Sequence, residues 1–159
     1  MFMNDLLSRD CVAIDLKISS KKQLIQEMAQ LMIDCGCLAG TKIEARDIIT
    51  AAMERERLGS TGVGSGVALP HARIEGLDKV TIAFARLDAP IDFEAIDERP
   101  VDLVALILAP AASGSDHLRA LAQISRRLRK DDIRAKLRNA PTAESIYIIL
   151  AEEAQATAA

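Results

Sequence analysis

His71 closes the run Gly59-Ser60-Thr61-Gly62-Val63-Gly64-Ser65-Gly66-Val67-Ala68-Leu69-Pro70, which holds four of the chain's eight glycines and leads to one of its two histidines. Glycine lets the main chain take positive φ and come close to a ligand, and successive N–H groups can form a concavity for anionic oxygens. Neutral imidazole is a good nucleophile near its ordinary pKa of about 6.5, so a histidine delivered by such a loop points to anion chemistry, and to attack on phosphorus in particular. Two more groups suit a phosphoryl site. Arg55, just before the loop, offers a planar fork of donors. His117 falls where a helix begins, beside free amides and the positive end of a helix dipole. Ser60, Thr61, Gly62, Gly64 and Gly66 are the loop's candidate phosphate contacts, and Pro70 stiffens the backbone that presents the ring.

Other chemistries fit these residues less well. No Gly-Lys-Ser/Thr follows the glycines, as a P-loop requires, and a helix rather than a strand precedes them, contrary to the dinucleotide fingerprint. Gly64-Ser65-Gly66 lacks the spacing of a serine elbow, and neither histidine belongs to a metal-binding cluster such as His-Glu-x-x-His. Glycine-rich turns also join helices to strands for geometric reasons alone, so the loop by itself leaves open a module that binds an anion or nucleotide without being phosphorylated.

The elements that must position these residues alternate along the chain. Val12 to Leu16 reads as a strand. Ser20 with Gln23 forms a capping box, and Leu24, Ile25, Met28, Leu31, Met32 and Cys35 recur at helical spacing before Gly36, placed for a left-handed end. Thr41 with Glu44 opens a second helix carrying Ile48, Ile49, Ala52 and Met53, which ends in Glu54-Arg55-Glu56-Arg57. Val67 to Leu69 is a short strand. Val80, Ile82, Phe84 and Leu87 follow the two-residue period of a strand with one buried face, and Val101 to Leu108 reads as fully buried. Pro90 to Pro100 reads as a solvated connection without catalytic work. Ser115 or Asp116 caps a helix with Leu118, Leu121, Ile124 and Leu128 on one face. Arg126, Arg127, Arg129 and Lys130 then complement the negative end of its dipole. Asp131 or Asp132 starts a short helix, and Thr142 caps a last one before an alanine-rich tail. This interleaving predicts an α/β fold, one domain over residues 1–159 with a core of about 5–152 and a frayed tail at 153–159.

Composition narrows the function. At 159 residues with 27% charged and 3% aromatic residues, and a net charge of -3, the chain has neither the basic surplus nor the stacking platforms that nucleic-acid binding uses. No apolar run approaches the roughly 20 residues that span a bilayer, and the start lacks a leader pattern, so the expectation is a cytoplasmic protein without membrane insertion. Cys11, Cys35 and Cys37 are odd in number; Cys35 and Cys37 are too close for an easy disulfide, and their neighbourhood is poor in zinc ligands. They read as small reduced thiols at a helix end.

Arg55-Glu56-Arg57-Leu58-Gly59-Ser60-Thr61-Gly62-Val63-Gly64-Ser65-Gly66-Val67-Ala68-Leu69-Pro70-His71, with the later Pro90-Ile91-Asp92-Phe93, Pro100-Val101-Asp102-Leu103 and Asp116-His117-Leu118, resembles the IIA domains of the phosphoenolpyruvate-dependent phosphotransferase system. The likeness is nearest to the nitrogen-regulatory members of the fructose/mannitol class and extends over nearly the whole chain. It implies a mixed sheet with helices on both faces. It further implies a phosphotransferase in which His71 takes a phosphoryl group from an HPr-like carrier, Arg55 neutralises its charge and His117 hydrogen-bonds the phosphate or steadies the ring. Signalling to regulatory targets such as kinases or transporter subunits would follow; the sugar-transport alternative would pass the phosphate to a IIB domain. Transfer between two histidines needs no cofactor and no metal, only in-line positioning and charge stabilisation. Docking of the carrier calls for apolar surface near His71, for which Val63, Val67 and Leu69 are the local candidates. Ala72 stands where relatives commonly carry glycine.

Overall fold

The computed structural model describes residues 3–112 and 114–158. Short helix α1 (Met3–Leu6) leads into strand β1 (Leu7–Leu16), followed by helices α2 (Lys21–Asp34) and α3 (Ala45–Arg57). Strands β2 (Gly62–Gly64), β3 (Val67–Ala68), β4 (His71–Ile74), β5 (Thr81–Ile91) and β6 (Val101–Pro110) come next, then α4 (Asp116–Leu128), α5 (Asp131–Asn139) and α6 (Ala143–Ala158). They form one mixed sheet in the order β1-β5-β6-β3-β2, with β4 also paired to β6. β6 is its hub. It pairs antiparallel with β5 along one side; along the other it pairs parallel first with β3 and then with β4, which sets His71 opposite Ile107.

Burial follows from this topology. β6 is aliphatic and buried from Leu103 through Ala109, and β5 is buried without alternation from Thr81 through Ala85, because helices cover both faces of a central strand. The sequence period of two in β5 therefore understates its burial. α2 and α3 pack together and against β5 and β4, while α4 and α6 pack against each other and against β6 and β1. Phe84, Leu103, Leu106 and Ile82 fill the space between the layers.

Several local expectations hold with altered detail. Ser20 caps α2, its Oγ accepting from the Gln23 N–H at 3.1 Å, but the Gln23 side chain reaches back to the Ser19 N–H at 2.8 Å instead of to the cap itself. α3 starts after Glu44, whose N–H donates to Asp47 Oδ2 at 2.9 Å, whereas Thr41 donates its hydroxyl to the Leu38 carbonyl and closes the preceding turn. Gly36 has the expected positive φ, 81°. Thr142 and Ser145 form a reciprocal box at the start of α6, each side chain accepting from the other's N–H at 3.0 Å. α6 spans Ala143–Ala158 and so takes in the alanine-rich segment, as alanine's helix propensity favours. Ala159 lies outside the described residues.

Two readings are corrected. Cys11 and Cys35 are disulfide-linked across a sequence separation of 24, with Cα atoms 5.5 Å apart, and only Cys37 is free among the three, since the fold of β1 against α2 brings together thiols that are remote in sequence. The buried flank of α4 keeps Leu121, Ile124 and Leu128 but departs from expectation at its start. Leu118 is exposed, and His117, Ala120, Ile124, Arg127 and Leu128 make the buried face. Arg127 is thus in the interior rather than in a solvated cluster. The α4 C-terminus is met from the next helix, where Arg134 donates to the Leu128 carbonyl at 2.8 Å and pairs with Asp131.

α5 is tied to the sheet by a cation. Arg86 of β5 donates to the carbonyls of Leu137 at 3.0 Å and Ala140 at 2.6 Å, and its Nη2 reaches Asp15 at 3.2 Å. The carbonyls lie at a helix end, where acceptors have no intrahelical partner. Replacing Arg86 by Met keeps the stem and strands these acceptors. A loss of about 2–3 kcal/mol is expected in urea unfolding, against less than about 1 kcal/mol for Arg86→Lys if the ammonium still reaches them.

Candidate functional site

Pro70 separates β3 from β4, and its carbonyl accepts from the Ile107 N–H at 3.0 Å, so the chain re-enters the sheet in register at His71. Within β4, Ala72 and Ile74 turn into the core, while His71 and Arg73 share the other side, as the alternation of a strand requires. Ala72 fits a regular strand position opposite Leu108, so its methyl causes no disturbance there. His71 is half-buried. Its Nδ1 lies 2.9 Å from the Leu69 carbonyl oxygen, which can only accept. Nδ1 therefore carries the proton, and Nε2 keeps the lone pair.

His117, in the first turn of α4, comes to the same place: the two ring centroids are 5.2 Å apart, at an interplanar angle of 49°. It is 7% exposed, and its Nδ1 is buried without a hydrogen-bond partner among the described residues. Burial foremost, and then electrostatic repulsion from the neighbouring His71 and Arg73, hold the His117 imidazole below the ordinary histidine range. The pair therefore presents one imidazole of fixed tautomer, its Nε2 lone pair free, beside a second, buried imidazole. Arg73 is the cation that the sequence reading lacks. Its signal is the two-residue period itself, since i and i+2 of a strand face the same way.

Arg55 is not brought onto the rings by any described hydrogen bond; its Nη1 donates to the Gly59 carbonyl at 2.9 Å, at the entrance of the loop. The donors of Ser60, Thr61, Gly62 and Ser65 are used internally. Thr61 is buried and gives its N–H to Glu56 Oε1 at 3.2 Å and its hydroxyl to Glu56 Oε2. Ser60 donates to the Phe93 carbonyl at 2.8 Å and accepts from the Gly62 N–H at 3.0 Å, and the Ser65 N–H goes to Asp97 at 2.8 Å. A cradle that hands these groups to phosphate is not what the fold builds. The loop is instead a scaffold.

Its glycines have packing roles. A Cβ on Gly62 would stand 2.7 Å from the Ala95 Cβ, and one on Gly66, at φ 80°, would collide with Arg138 Nη2. Ser65 and Gly66, both at positive φ, form the two-residue turn of the β2-β3 hairpin, as the primed hairpin turns require. Arg138 grips Asp102 with Nε and Nη2 at 3.0 and 2.9 Å and reaches the Ser65 carbonyl at 2.8 Å, which fixes the tip. The segment before β6, expected to be a solvated connection, buries Phe93 and Ala95 beneath the loop and is its buttress. Val67 and Leu69 are buried and so offer no docking surface, a consequence of their lying in and beside a covered strand, whereas Val63 is exposed.

Comparison with known proteins agrees with this fold. Residues 5–153 match the family model of the phosphoenolpyruvate-dependent sugar phosphotransferase system, EIIA 2. The chain belongs to this family. Within it, the chain is 46% identical over 151 residues to the nitrogen regulatory protein of Bradyrhizobium diazoefficiens, covering 95% of both chains. It is 41% identical over 133 residues to that of Pseudomonas aeruginosa, covering 84% of both. The crystal structure of nitrogen regulatory protein IIA-Ntr from Neisseria meningitidis superimposes with a TM-score of 0.85 at 32% identity, covering 93% of this chain and 98% of the other. As a IIA domain of this class the chain serves phosphotransfer, and among its described residues no helix is long and apolar enough to cross a membrane.

Glu56 is the residue of the site that local sequence patterns do not disclose. It is buried, takes both Thr61 donors and pairs with Lys21 Nζ at 3.2 Å. Glu56→Ala should cost about 3 kcal/mol of unfolding free energy by leaving buried donors and a cation uncompensated, with Glu56→Gln much milder. The depressed His117 gives a pH signature. An unfolded histidine takes its proton at about pH 6.5, the folded one only at lower pH, so between the two the unfolded chain holds more protons and stability falls as pH falls. Thermal melts from pH 8 to 5 should show this loss in wild type and a shallower one in His117→Gln; parallel curves would contradict it.

Proposed function

We propose that the chain is a nitrogen-regulatory phosphoryl carrier: His71 Nε2 takes a phosphoryl group from the phosphohistidine of an HPr-like protein, and the phosphorylation state is read by regulatory targets. The observation that carries this reading is the Leu69 carbonyl on His71 Nδ1, because it leaves Nε2 as the nucleophile with its lone pair free. In the step, the Nε2 lone pair forms the new N–P bond as the donor's P–N bond breaks and the donor imidazole keeps the departing electron pair. The proton stays on His71 Nδ1, hydrogen-bonded to the Leu69 carbonyl, and that bond disperses the charge that the ring gains. One P–N bond replaces another, so transfer runs either way.

The phosphoryl oxygens need positive or donor groups. His117, neutral and with its ring 5.2 Å from that of His71, has a hydrogen-bonding face to give, and Arg73 supplies charge from the same side of β4. Arg55 serves the backbone at Gly59 in the unphosphorylated protein; its half-buried side chain is close in sequence to the loop and is a reserve donor for the charged state. Exposed apolar side chains on these elements, Leu58, Val63, Ile96 and Leu118 at 84, 51, 82 and 61%, suit a carrier's docking face better than the buried Val67 and Leu69.

Incubation with phosphorylated HPr-like carrier should yield one phosphate per chain, stable in alkali and lost in acid. His71→Ala should take none. His117→Gln should slow transfer about 10²-fold while leaving the attachment site unchanged. Persistent labelling of His71→Ala would reject the assignment of the acceptor.

A further inference from the structure

The cysteines lie outside everything the phosphoryl site uses. Cys11 comes from β1, Cys35 caps α2, and Cys37 sits one residue beyond the glycine that ends that helix. All three sulfurs fall within 4.8 Å of one another, and Cys37 Sγ is 3.4 Å from Cys11 Sγ, although Cys11 and Cys35 are already joined. Three sulfurs from three segments in one cluster provide what a disulfide needs for internal exchange: a bond and a thiol beside it.

Access is graded. Cys11 is fully buried, whereas Cys35 and Cys37 are half-buried and open onto a surface cavity of about 240 Å³ that also involves Asn4, Ser8, Lys79 and Thr81. A small reagent reaches the outer pair first and Cys11 only through them. The Cys37 thiol donates to the Met32 carbonyl at 3.3 Å, and burial pushes its pKa up against the opposing pull of its own backbone N–H and Lys79. Both metal binding and attack on a disulfide need the thiolate, so a thiol held protonated against a carbonyl is a poor metal ligand and a slow exchanger whose rate rises with pH.

We propose that Cys11, Cys35 and Cys37 form a reversible thiol–disulfide site, with Cys11–Cys35 as the oxidised pair, Cys37 as the exchanging thiol and low-molecular-weight disulfides as the oxidant. In oxidation the Cys35 thiolate attacks one sulfur of the small disulfide RSSR, forming Cys35–S–S–R and releasing RS⁻. The Cys11 thiolate then attacks Cys35 Sγ, closing Cys11–Cys35 and releasing the second RS⁻. The two protons from the protein thiols pass to these anions, so two thiols are oxidised and one RSSR becomes two RSH. Cys37 thiolate can attack Cys11 Sγ, giving Cys11–Cys37 and freeing Cys35 at the cavity, with no net redox change. The closed bond ties the end of α2 to β1.

The test uses the full chain equilibrated across ratios of reduced to oxidised glutathione, quenched by alkylation and mapped by mass spectrometry, with melting followed in parallel. Expected are the joint, reversible loss of two alkylatable thiols, a Cys11–Cys35 cross-link, and a melting point higher by about 5–10 °C for a loop of this length in the oxidised form. Cys37→Ser should keep that cross-link but exchange it several-fold more slowly, and Cys35→Ser should move it to Cys11–Cys37. The proposal is overturned if all three thiols alkylate at every ratio, if only glutathione adducts form, or if the reduced protein takes up one zinc ion that shields all three. None of these readouts depends on phosphoryl transfer.

Discussion

The hydrogen bond on which the site depends most is the one from His71 Nδ1 to the Leu69 carbonyl, and it is the last of a short series that starts in α3. Glu56 holds the N–H and hydroxyl of Thr61; the Thr61 carbonyl accepts from the Leu69 N–H at 2.9 Å; the Leu69 carbonyl receives the imidazole proton at 2.9 Å. Each member of the series is buried or half-buried, where a lost partner is costly and a kept one is geometrically strict. The imidazole is thus aimed by main chain, and the main chain is aimed by a carboxylate buried beneath the loop.

β6 is what allows the two imidazoles to meet. Because β3 and β4 both run along its same side, the hairpin that holds the loop and the strand that bears His71 are registered to a single rigid element. α4 packs on that element as well, so His117 is referred to the same frame. The centroid distance of 5.2 Å joins side chains from different secondary structures, and such a spacing survives thermal motion only where both share a support. The burial that this packing imposes on His117 also keeps it neutral, so the position and the protonation of the second imidazole have one cause.

The reach of the sequence follows from the same physics. The long aliphatic strand Val101–Pro110, the caps at Ser20 and Thr142 and the left-handed Gly36 were legible because each is a local pattern with a local cause. The convergence of His71 and His117 was legible from residue type and from the resemblance. What escaped was non-local. On α4 the apolar pattern selected Leu118, yet the buried face includes His117 and Arg127, polar residues that hydropathy assigns to water. Ser60 and Thr61 count as candidate phosphate contacts from their place in the glycine loop; only the tertiary structure reveals Glu56 and the Phe93 carbonyl as their partners. The union of Cys11 with Cys35 needs the packing of a strand on a helix end, which no spacing rule contains.

α2 connects the histidine site to the cysteines. Its first residue, Lys21, is paired with Glu56 at 3.2 Å and stands over the Phe93 ring at 4.6 Å, so one end of the helix is fastened beneath the glycine loop. Its other end is fastened at Cys35 to β1. Lys21 is largely removed from water, so its ion pair is worth keeping only if the helix holds the ammonium in place; a cation set free there would leave Glu56 uncompensated against the buried Thr61 donors. A helix of 14 residues moves as one stiff rod, because every turn is bonded to the next. The same helix thus carries Lys21, which meets Glu56 beneath the glycine loop, at one end and the link to β1 at the other.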